Sequence, residues 1–238
     1  MKRDRGRPGR LHLSGTIAVV TDRATARALT DLPYHRYLAD SEAPPEESAD
    51  HECVHFAGTD LSDAEVQGSR FRECAFSGAT FGTARLSRTN FTDVWLSGCG
   101  LIRTDVTASG WLDAEFVTTV LAGTVAYDST MRRVTFHGCK LDAVNLRGSR
   151  LTDVTFVDCA LREIDFGGAT LTRVRFPGSS LRDVRFDGAV MDRVDLRDAA
   201  ELRLRLGAGP LSGLVIDTGQ LLGLAPTFAS ALGVTVAD

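Results

Sequence analysis

The sequence is poor in long apolar runs, in net charge and in aromatic residues. No stretch of eighteen consecutive apolar residues occurs in the 238-residue chain, which argues against a membrane-spanning helix. The formal net charge is only −4, so the chain lacks the strongly basic character that direct nucleic-acid binding requires. Aromatic residues make up 7% of the chain, yet most of the twelve Phe recur at one fixed spacing. The informative feature is therefore a periodicity.

Cysteine and histidine are also scarce, with five of each. The segment His51-x-Cys53-x-His55 lacks the fourth ligand and the paired spacing of a zinc site. The chain contains no P-loop, no GxGxxG motif after a strand and no Ser-His-Asp order. We therefore predict no metal, no cofactor and no enzymatic activity. The Cys form no secreted disulfide framework, and the apolar run Thr16 to Val20 is too short for a signal peptide, so we predict a reduced, cytoplasmic protein.

The strongest pattern is a period of five residues between Phe56 and Leu196. All 29 members of this series are apolar, and only Ala126 is small. Because 43% of the chain is apolar, the chance probability of such a series is about 10⁻¹¹, and the period is a structural signal. The members are Phe56, Leu61, Val66, Phe71, Phe76, Phe81, Leu86, Phe91, Leu96, Leu101, Val106, Trp111, Phe116, Leu121, Ala126, Met131, Phe136, Leu141, Leu146, Leu151, Phe156, Leu161, Phe166, Leu171, Phe176, Leu181, Phe186, Met191 and Leu196.

A second series lies two residues before the first and contains only Ala, Ser, Thr, Cys, Val or Ile. Neither an α-helix nor an ordinary strand has a period of five. The two series together predict a solenoid, in which short straight segments are joined by sharp corners and each coil stacks on the one before. Members of both series face the interior, and the other three residues of each five face solvent. Gly recurs at ten-residue intervals, which predicts two kinds of corner, represented by Gly148 and Asp153.

Four of the five Cys belong to the small inward series: Cys74, Cys99, Cys139 and Cys159. The last two are twenty residues apart, which is one coil if four repeats form each coil, as the family resemblance described next implies. Their Cα atoms are then expected at about 4.8 Å, the spacing of neighbouring strands, which is within disulfide range. We interpret both as small core residues.

These repeats resemble those of the pentapeptide-repeat family, whose unit is approximately Ala-(Asp/Asn)-Leu-X-X. The resemblance covers residues 54 to about 206, and a hexapeptide β-helix would need a period of six. It implies an all-β fold, a right-handed quadrilateral β-helix solenoid of about eight coils, with small N- and C-terminal α-helical caps. The matching units include Val144-Asn145-Leu146-Arg147-Gly148, Ile164-Asp165-Phe166-Gly167-Gly168, Val194-Asp195-Leu196-Arg197-Asp198 and Thr59-Asp60-Leu61-Ser62-Asp63.

The segment before the repeats has a mixed pattern. It predicts a strand at Leu11–Val20, a helix from Asp22 to about Leu29 and an acidic, Pro-containing linker at Ser41–Asp50. The three predicted regions of the chain are residues 1–50, an N-terminal extension and cap; 51–206, the pentapeptide-repeat β-helix; and 207–238, a C-terminal capping segment with a helix.

The C-terminal segment predicts a helix at Gln220–Leu232, with Asp217 or Thr218 as its N-cap. Pro226 inside this stretch argues for a kink or for two short helices, and Val234–Val236 has the composition of a last strand. The helix either covers the solenoid end or joins two copies in a homodimer, as the resemblance implies if it matches family members that dimerise through this end. The candidate residues for these contacts are Leu221, Leu224, Phe228 and Leu232.

Residues 95–127 depart from the repeat pattern because apolar side chains occupy outward positions there. Such a surface normally has a cover or a partner. Three alternatives remain: a second copy, a different protein, or the N-terminal segment folded back, through Leu29, Leu32, Tyr34, Tyr37 and Leu38. The candidate interaction surface contains Trp95, Ile102, Leu112, Val117, Val120 and Tyr127, next to Val125.

Two functions from different classes fit these observations. The first is a non-enzymatic, rigid scaffold for protein–protein interaction. The second follows from the resemblance, because the best-known family members modulate or protect DNA gyrase and other type II topoisomerases as acidic mimics of DNA. Residues 51–206 contain 21 acidic and 19 basic side chains, which is a weak charge for a DNA mimic, so we favour the scaffold.

The arrangement of charges on the surface discriminates between these two functions. A continuous acidic face would favour DNA mimicry, whereas mixed faces would favour the scaffold. Asp153 with Arg173, and Asp165 with Arg185, are predicted to form exposed ion pairs one coil apart.

Overall fold

The computed structural model describes residues 25–41, 43–206 and 211–237. The predicted strand at Leu11–Val20, the basic residues 1–10 and the start of the predicted helix at Asp22 lie outside the described residues. The described part forms a β-solenoid of about eight turns with one α-helix near its C-terminal end.

The strands are short because each side of a coil holds only a few residues between two corners. Two 3₁₀ helices, Leu29–Asp31 and His35–Tyr37, precede the solenoid, and the α-helix α1, Thr218–Ala231, follows it. The strands in chain order are β1 Ala39–Asp40, β2 Asp50–Glu52, β3 Val54–Ala57, β4 Arg70–Arg72, β5 Ala75–Ser77, β6 Asn90–Thr92, β7 Trp95–Ser97, β8 Gly100–Ile102, β9 Gly110–Leu112, β10 Glu115–Val117, β11 Val120–Ala122, β12 Thr130–His137, β13 Lys140–Asp142, β14 Arg150–Val157, β15 Ala160–Arg162, β16 Thr170–Thr172, β17 Ser180–Arg185, β18 Val190–Asp192, β19 Val194–Asp195, β20 Glu201–Arg205 and β21 Leu214–Val215.

Strand pairing follows a repeat of twenty residues. The strands pair in parallel, and Phe116 in β10 lies opposite Phe136 in β12, just as Leu121 in β11 lies opposite Leu141 in β13. Two pairings in the described residues depart from this spacing. Ala39 in β1 pairs with Val54 in β3, and Leu181 in β17 pairs with Leu202 in β20, after which a bulge restores the twenty-residue register. Extra residues in a strand are commonly absorbed in this way. Four five-residue sides therefore form each coil, as the family resemblance implied.

The large inward residues stack in columns along the solenoid axis. The rings of Phe116, Phe136 and Phe156 lie above one another, with centroids 4.5 and 4.7 Å apart and planes within 14° of parallel. Such ring pairs contribute about 0.5–1.5 kcal/mol each beyond the area they bury. Ala126 interrupts its column, and an apolar cavity of about 20 Å³ lies beside it. The predicted core is thus present, with one packing defect at its single small member.

The small inward residues bond to the coil before them. The hydroxyls of Ser129 and Ser149 each donate to a carbonyl 23 residues earlier, at 2.8 Å. The thiols of Cys99 and Cys139 make the same contact at 3.4 and 3.5 Å. A buried hydroxyl needs such a partner, and a thiol is a weaker donor of similar size. All five cysteines are free thiols, and those of the inward series fill core positions, as interpreted from the sequence.

Two kinds of corner are present, although both use left-handed backbone. Gly148 and Asp153 have φ of 67° and 56°. At Gly148 the turn is closed by a hydrogen bond from Ser149 N to Leu146 O of 3.3 Å. Asp153 lies inside the continuous strand β14, so the chain passes that corner without leaving the strand. The two kinds of corner do not follow the alternation of Gly, because the corner at Arg88 is also closed by a bond, from Thr89 N to Leu86 O, whereas among the described residues none runs from Cys139 N to Phe136 O at Gly138.

The C-terminal segment differs from its prediction in two respects and agrees with it in the N-cap of the helix. Helix α1 runs continuously from Thr218 to Ala231, so Pro226 does not divide it into two helices. Loss of one N–H and a local clash are tolerated where the rest of the helix is capped and packed. Asp217 is the N-cap, and its side chain accepts a bond from Gln220 N at 2.9 Å. Residues 234–236 form no strand, because no neighbouring strand is available to pair with them within the described residues.

Candidate interaction surface

The described N-terminal segment, residues 25–41, runs across one outer side of the solenoid; we call it the N-terminal strap. Its strand β1 pairs in parallel with β3, and its 3₁₀ helices replace the α-helical cap that was predicted. Leu32 and Tyr34 are buried against Ala75 and Trp95 of the solenoid. The sequence left open what covers the outward apolar residues of 95–127, and the strap covers the part of this stretch that contains Trp95 and Val117.

Two members of the candidate surface lie under the strap. Trp95 points away from the solenoid axis, as expected, but only 5% of it is exposed. Its indole N–H donates to Arg27 O at 3.1 Å, and Val117 packs against the same cluster. Of the three alternatives for the cover, the folded-back N-terminal segment is the one that lies against Trp95.

A buried ion pair holds the strap in place; we call it the latch. Glu115 is 4% exposed, and its Oε1 accepts the backbone N–H of Arg27 at 2.8 Å while its Oε2 accepts Nε at 2.5 Å. His137 Nε2 lies 3.4 Å from Glu115 Oε1, and burial lowers the pKa of that imidazole. The sequence reasoning missed this pair. An acidic residue at an outward position inside an apolar window was the available signal.

Three of the remaining candidate residues are exposed and lie on two adjacent sides of the solenoid, in two successive coils. We define the apolar band as Ile102, Val120 and Tyr127, which are 38%, 37% and 42% exposed. Ile102 and Val120 belong to the neighbouring parallel strands β8 and β11. Tyr127 follows in the same coil as Val120, beyond the corner at Gly123. Leu112 is half-buried and lies in β9, outside the band.

Opposite charges neutralise one another along the outer surface. The predicted pair of Asp153 and Arg173 is present, with Oδ1 to Nε at 2.5 Å. Asp165 instead pairs with Arg147 at 3.2 Å, because Gly167 has no side chain and leaves room for that guanidinium. Other pairs between successive coils are Arg70–Asp50, Arg72–Glu52, Arg85–Glu65, Arg133–Asp113 and Arg162–Asp142. The described faces are therefore mixed in charge.

His51, Cys53 and His55, the segment that lacks the features of a zinc site, each contact different partners. His51 stacks on Phe71, with ring centroids 4.7 Å apart, and burial lowers its pKa. His55 binds Asp40 and the hydroxyl of Ser77, both at 2.8 Å. Cys53 donates to Glu73. Across residues 25–41, 43–206 and 211–237 no group of three or more potential ligands could hold a metal ion.

Helix α1 has a packed side and an exposed side. Leu224 is buried and Phe228 packs on the solenoid core, so these two candidates attach the helix to the end of the solenoid. Leu221 and Leu232 are exposed. The sequence from 218 to 237 contains no charged residue. The exposed side of α1 is thus uncharged and partly apolar.

Two family models match the repeats. One, described as a pentapeptide repeat region, matches residues 129–200, and the other, described as pentapeptide repeats in nine copies, matches residues 53–100. Together they cover half of the chain. The chain belongs to the pentapeptide-repeat family. The predicted fold class, an all-β quadrilateral β-helix of the family's type with about eight coils, is confirmed.

Similar solved structures are also pentapeptide-repeat proteins. QnrB1, described as a plasmid-mediated fluoroquinolone resistance protein, is 17% identical, with 79% of this chain and 94% of that chain covered and a TM-score of 0.42. HetL, involved in heterocyst differentiation regulation in the cyanobacterium Nostoc sp. strain PCC 7120, is 15% identical, with 73% and 91% covered and a TM-score of 0.39. No curated protein matches this pentapeptide-repeat chain in a sequence comparison.

No helix in the described part of this pentapeptide-repeat protein has both the length and the apolar character that crossing a bilayer requires.

Proposed function

We propose that this pentapeptide-repeat protein is a non-enzymatic, rigid scaffold for protein–protein interaction in the cytoplasm. The observation that carries this proposal is the apolar band on an otherwise charged, ion-paired surface. Exposed apolar residues that lie together commonly mark binding surfaces. The five free thiols support a reducing compartment.

The solenoid supports the proposal because it holds the band on a stiff frame. Ile102 and Val120 belong to β8 and β11, whose backbones are hydrogen-bonded to neighbouring coils. The adjacent residue in each strand, Leu101 or Leu121, is buried in the core. Little conformational freedom would be lost when a partner binds such a preformed surface. The exposed ion pairs on the outer surface contribute about 0–1 kcal/mol each to the free energy of unfolding. Their main effect is therefore to keep the protein soluble.

A site-specific photo-crosslinking experiment tests the scaffold role. A photoreactive amino acid is placed at Val120 and, as the matched control, at Ala160, which is exposed at the same position two coils later. We expect Val120 to capture a discrete partner that Ala160 does not capture, and Ile102→Asp to abolish the capture. Equal capture at both positions, or capture that survives Ile102→Asp, would refute the band as the binding surface.

We also propose that the exposed side of α1 joins two copies in a homodimer. Leu224 and Phe228 fix the helix to the solenoid, which leaves Leu221 and Leu232 directed outward on an uncharged surface. Light scattering at micromolar concentration should give twice the monomer mass, and Leu221→Asp with Leu232→Asp should give the monomer. A monomer mass for the unmodified protein would refute this proposal.

The second candidate function is a DNA-mimicking modulator or protector of DNA gyrase. One observation favours it: Glu73, Asp93 and Asp113 follow one another on a single edge in three successive coils. Burial raises the pKa of Asp93, and the neighbouring carboxylates of Asp113 and Glu73 raise it further. The acidic run ends at Arg133, which bonds Asp113.

A DNA gyrase supercoiling assay with and without a fluoroquinolone distinguishes the two functions. Protection or inhibition of gyrase at low micromolar protein supports DNA mimicry, and no effect on gyrase favours the scaffold.

A further inference from the structure

We propose that a groove near the C-terminal end of the solenoid binds a phosphate group, either as the free anion or as a small phosphate monoester. This arginine groove has a volume of about 390 Å³. It lies on the side of the solenoid that contains β19, and Val215 of β21 closes one end. The residues that line it are Asp153, Thr155, Arg173, Arg175, Arg193, Asp195, Arg197 and Val215.

Both carboxylates of the groove are already occupied. Asp153 accepts Nε and Nη2 of Arg173 at 2.5 and 2.7 Å. Asp195 accepts Nε and Nη2 of Arg197 at 2.9 and 2.6 Å, and it also accepts the Arg197 backbone N–H. These bonds hold the pKa of both carboxyls below its usual range. Neither carboxylate has an oxygen without a guanidinium partner.

Arg175 is the one lining guanidinium that forms no hydrogen bond or ion pair in the described part of the chain, although its charge acts on nearby Asp195. It is exposed, and it forms no side-chain hydrogen bond or ion pair with any described residue. Its backbone lies between Thr155 in the coil before and Asp195 in the coil after. Arg193 bonds Asp192, which lies outside the groove, so four guanidiniums and two carboxylates leave an excess of positive charge there.

A phosphate group fits these donors better than a carboxylate or a halide does. A guanidinium presents two parallel N–H groups that match two oxygens of a carboxylate or of a phosphate. A phosphate group carries more negative charge and has a third acceptor oxygen, which leaves an oxygen for another donor. The hydroxyl of Thr155 has no hydrogen-bond partner among the described residues and lies one coil from Arg175, so it is a second donor. The volume is within the range of small-ligand sites and admits a compact monoester.

The chain offers a matched control for Arg175. Arg185 is also exposed and also lacks a side-chain partner in the described residues. Its groove, of about 260 Å³, is lined by Glu163, Asp165 and Asp183 as well as Arg205, so its acidic groups outnumber its basic ones. The variants Arg175→Gln and Arg185→Gln remove the same charge from surroundings of opposite sign.

The test is isothermal titration of the full-length protein with inorganic phosphate, O-phosphoserine and acetate. We expect both phosphate compounds to bind and acetate to bind more weakly. Phosphate alone would identify the free anion as the ligand, and tighter binding of O-phosphoserine would identify the monoester. Because the lost bond is charge-assisted, Arg175→Gln should weaken binding about tenfold. Arg185→Gln should leave it unchanged.

Two outcomes would overturn the proposal. One is the absence of heat at millimolar phosphate. The other is an equal loss in Arg175→Gln and Arg185→Gln, which would show a response to net charge alone. Asp195→Asn provides a variant of opposite sign, because it releases the Arg197 guanidinium and should tighten phosphate binding. Circular dichroism of each variant confirms that the exposed substitutions leave the fold intact.

Discussion

Removal of the Arg27 side chain should release the N-terminal strap without unfolding the solenoid. In Arg27→Ala the backbone N–H still reaches Glu115 Oε1, but Oε2 loses its bond from Nε inside a site that is almost closed to water. A hydrogen bond to a charged group contributes about 1.5–3 kcal/mol. The Arg27 side chain is 42% exposed, so solvent offsets part of this, and about 2 kcal/mol is a reasonable loss.

A loss of about 2 kcal/mol raises the population of undocked strap about thirtyfold. Trp95 reports this directly, because the strap covers it whereas Trp111 is buried in the solenoid core. Acrylamide quenching of Trp95 fluorescence, and hydrogen exchange at the Ala39 amide that bonds Cys53 O, should both increase. Thermal unfolding of the solenoid should change little, since each coil is held by its neighbours.

The control is Arg36→Ala in the same strap, because Arg36 contacts only Tyr37 among the described residues. A double-mutant cycle with Glu115→Gln isolates the pair itself, and the two substitutions should be clearly non-additive. Unchanged quenching in Arg27→Ala, or additive effects in the cycle, would refute the conclusion that this ion pair holds the strap.

Three further predictions concern stability. Ala126→Val should raise the free energy of unfolding by about 1 kcal/mol, since it fills part of a 20 Å³ cavity, and a lower melting temperature would show that the column cannot accept two more carbons. The pKa of His51 is lowered from the ordinary 6.5 in the folded protein, so the unfolded chain binds more protons near that pH. The free energy of unfolding should therefore fall as pH decreases below about 6.5. His51→Phe would continue the Phe71 stack and should reduce this pH dependence in denaturation curves, and an unchanged pH dependence would exclude His51 as its source. Asp217→Ala removes the N-cap of α1 and should lower helix stability by about 1 kcal/mol, seen as faster hydrogen exchange in the first turn; Asp217→Asn should preserve most of it.

The core could be predicted from sequence because its period is local and uninterrupted. Phe116, Phe136 and Phe156 stack as their twenty-residue spacing requires, and the same spacing places Arg173 beside Asp153. Both contacts depend only on position within a coil, so no information about distant parts of the chain is needed.

Contacts that cross the repeat could not be predicted in this way. Arg27 and Glu115 are 88 residues apart, and no period connects them. The pairing of Asp165 with Arg147 depends on the empty space above Gly167, which a count of residues between charges does not reveal. The cover of Trp95 could not be chosen among three alternatives for the same reason: the repeat sets the direction of a side chain but not what lies outside it.

The strap also limits how the solenoid can change in length. It spans several coils, from the pairing of Ala39 with Val54 to the bond between Arg27 and Glu115. A duplication of twenty residues inside that span would move the two attachment points about 4.8 Å further apart, and a deletion would bring them closer by the same distance. In either case the strap could no longer reach both points. The same change beyond His137 would leave both attachments in place. A family that grows by repeating coils can therefore lengthen this protein only on the C-terminal side of the latch.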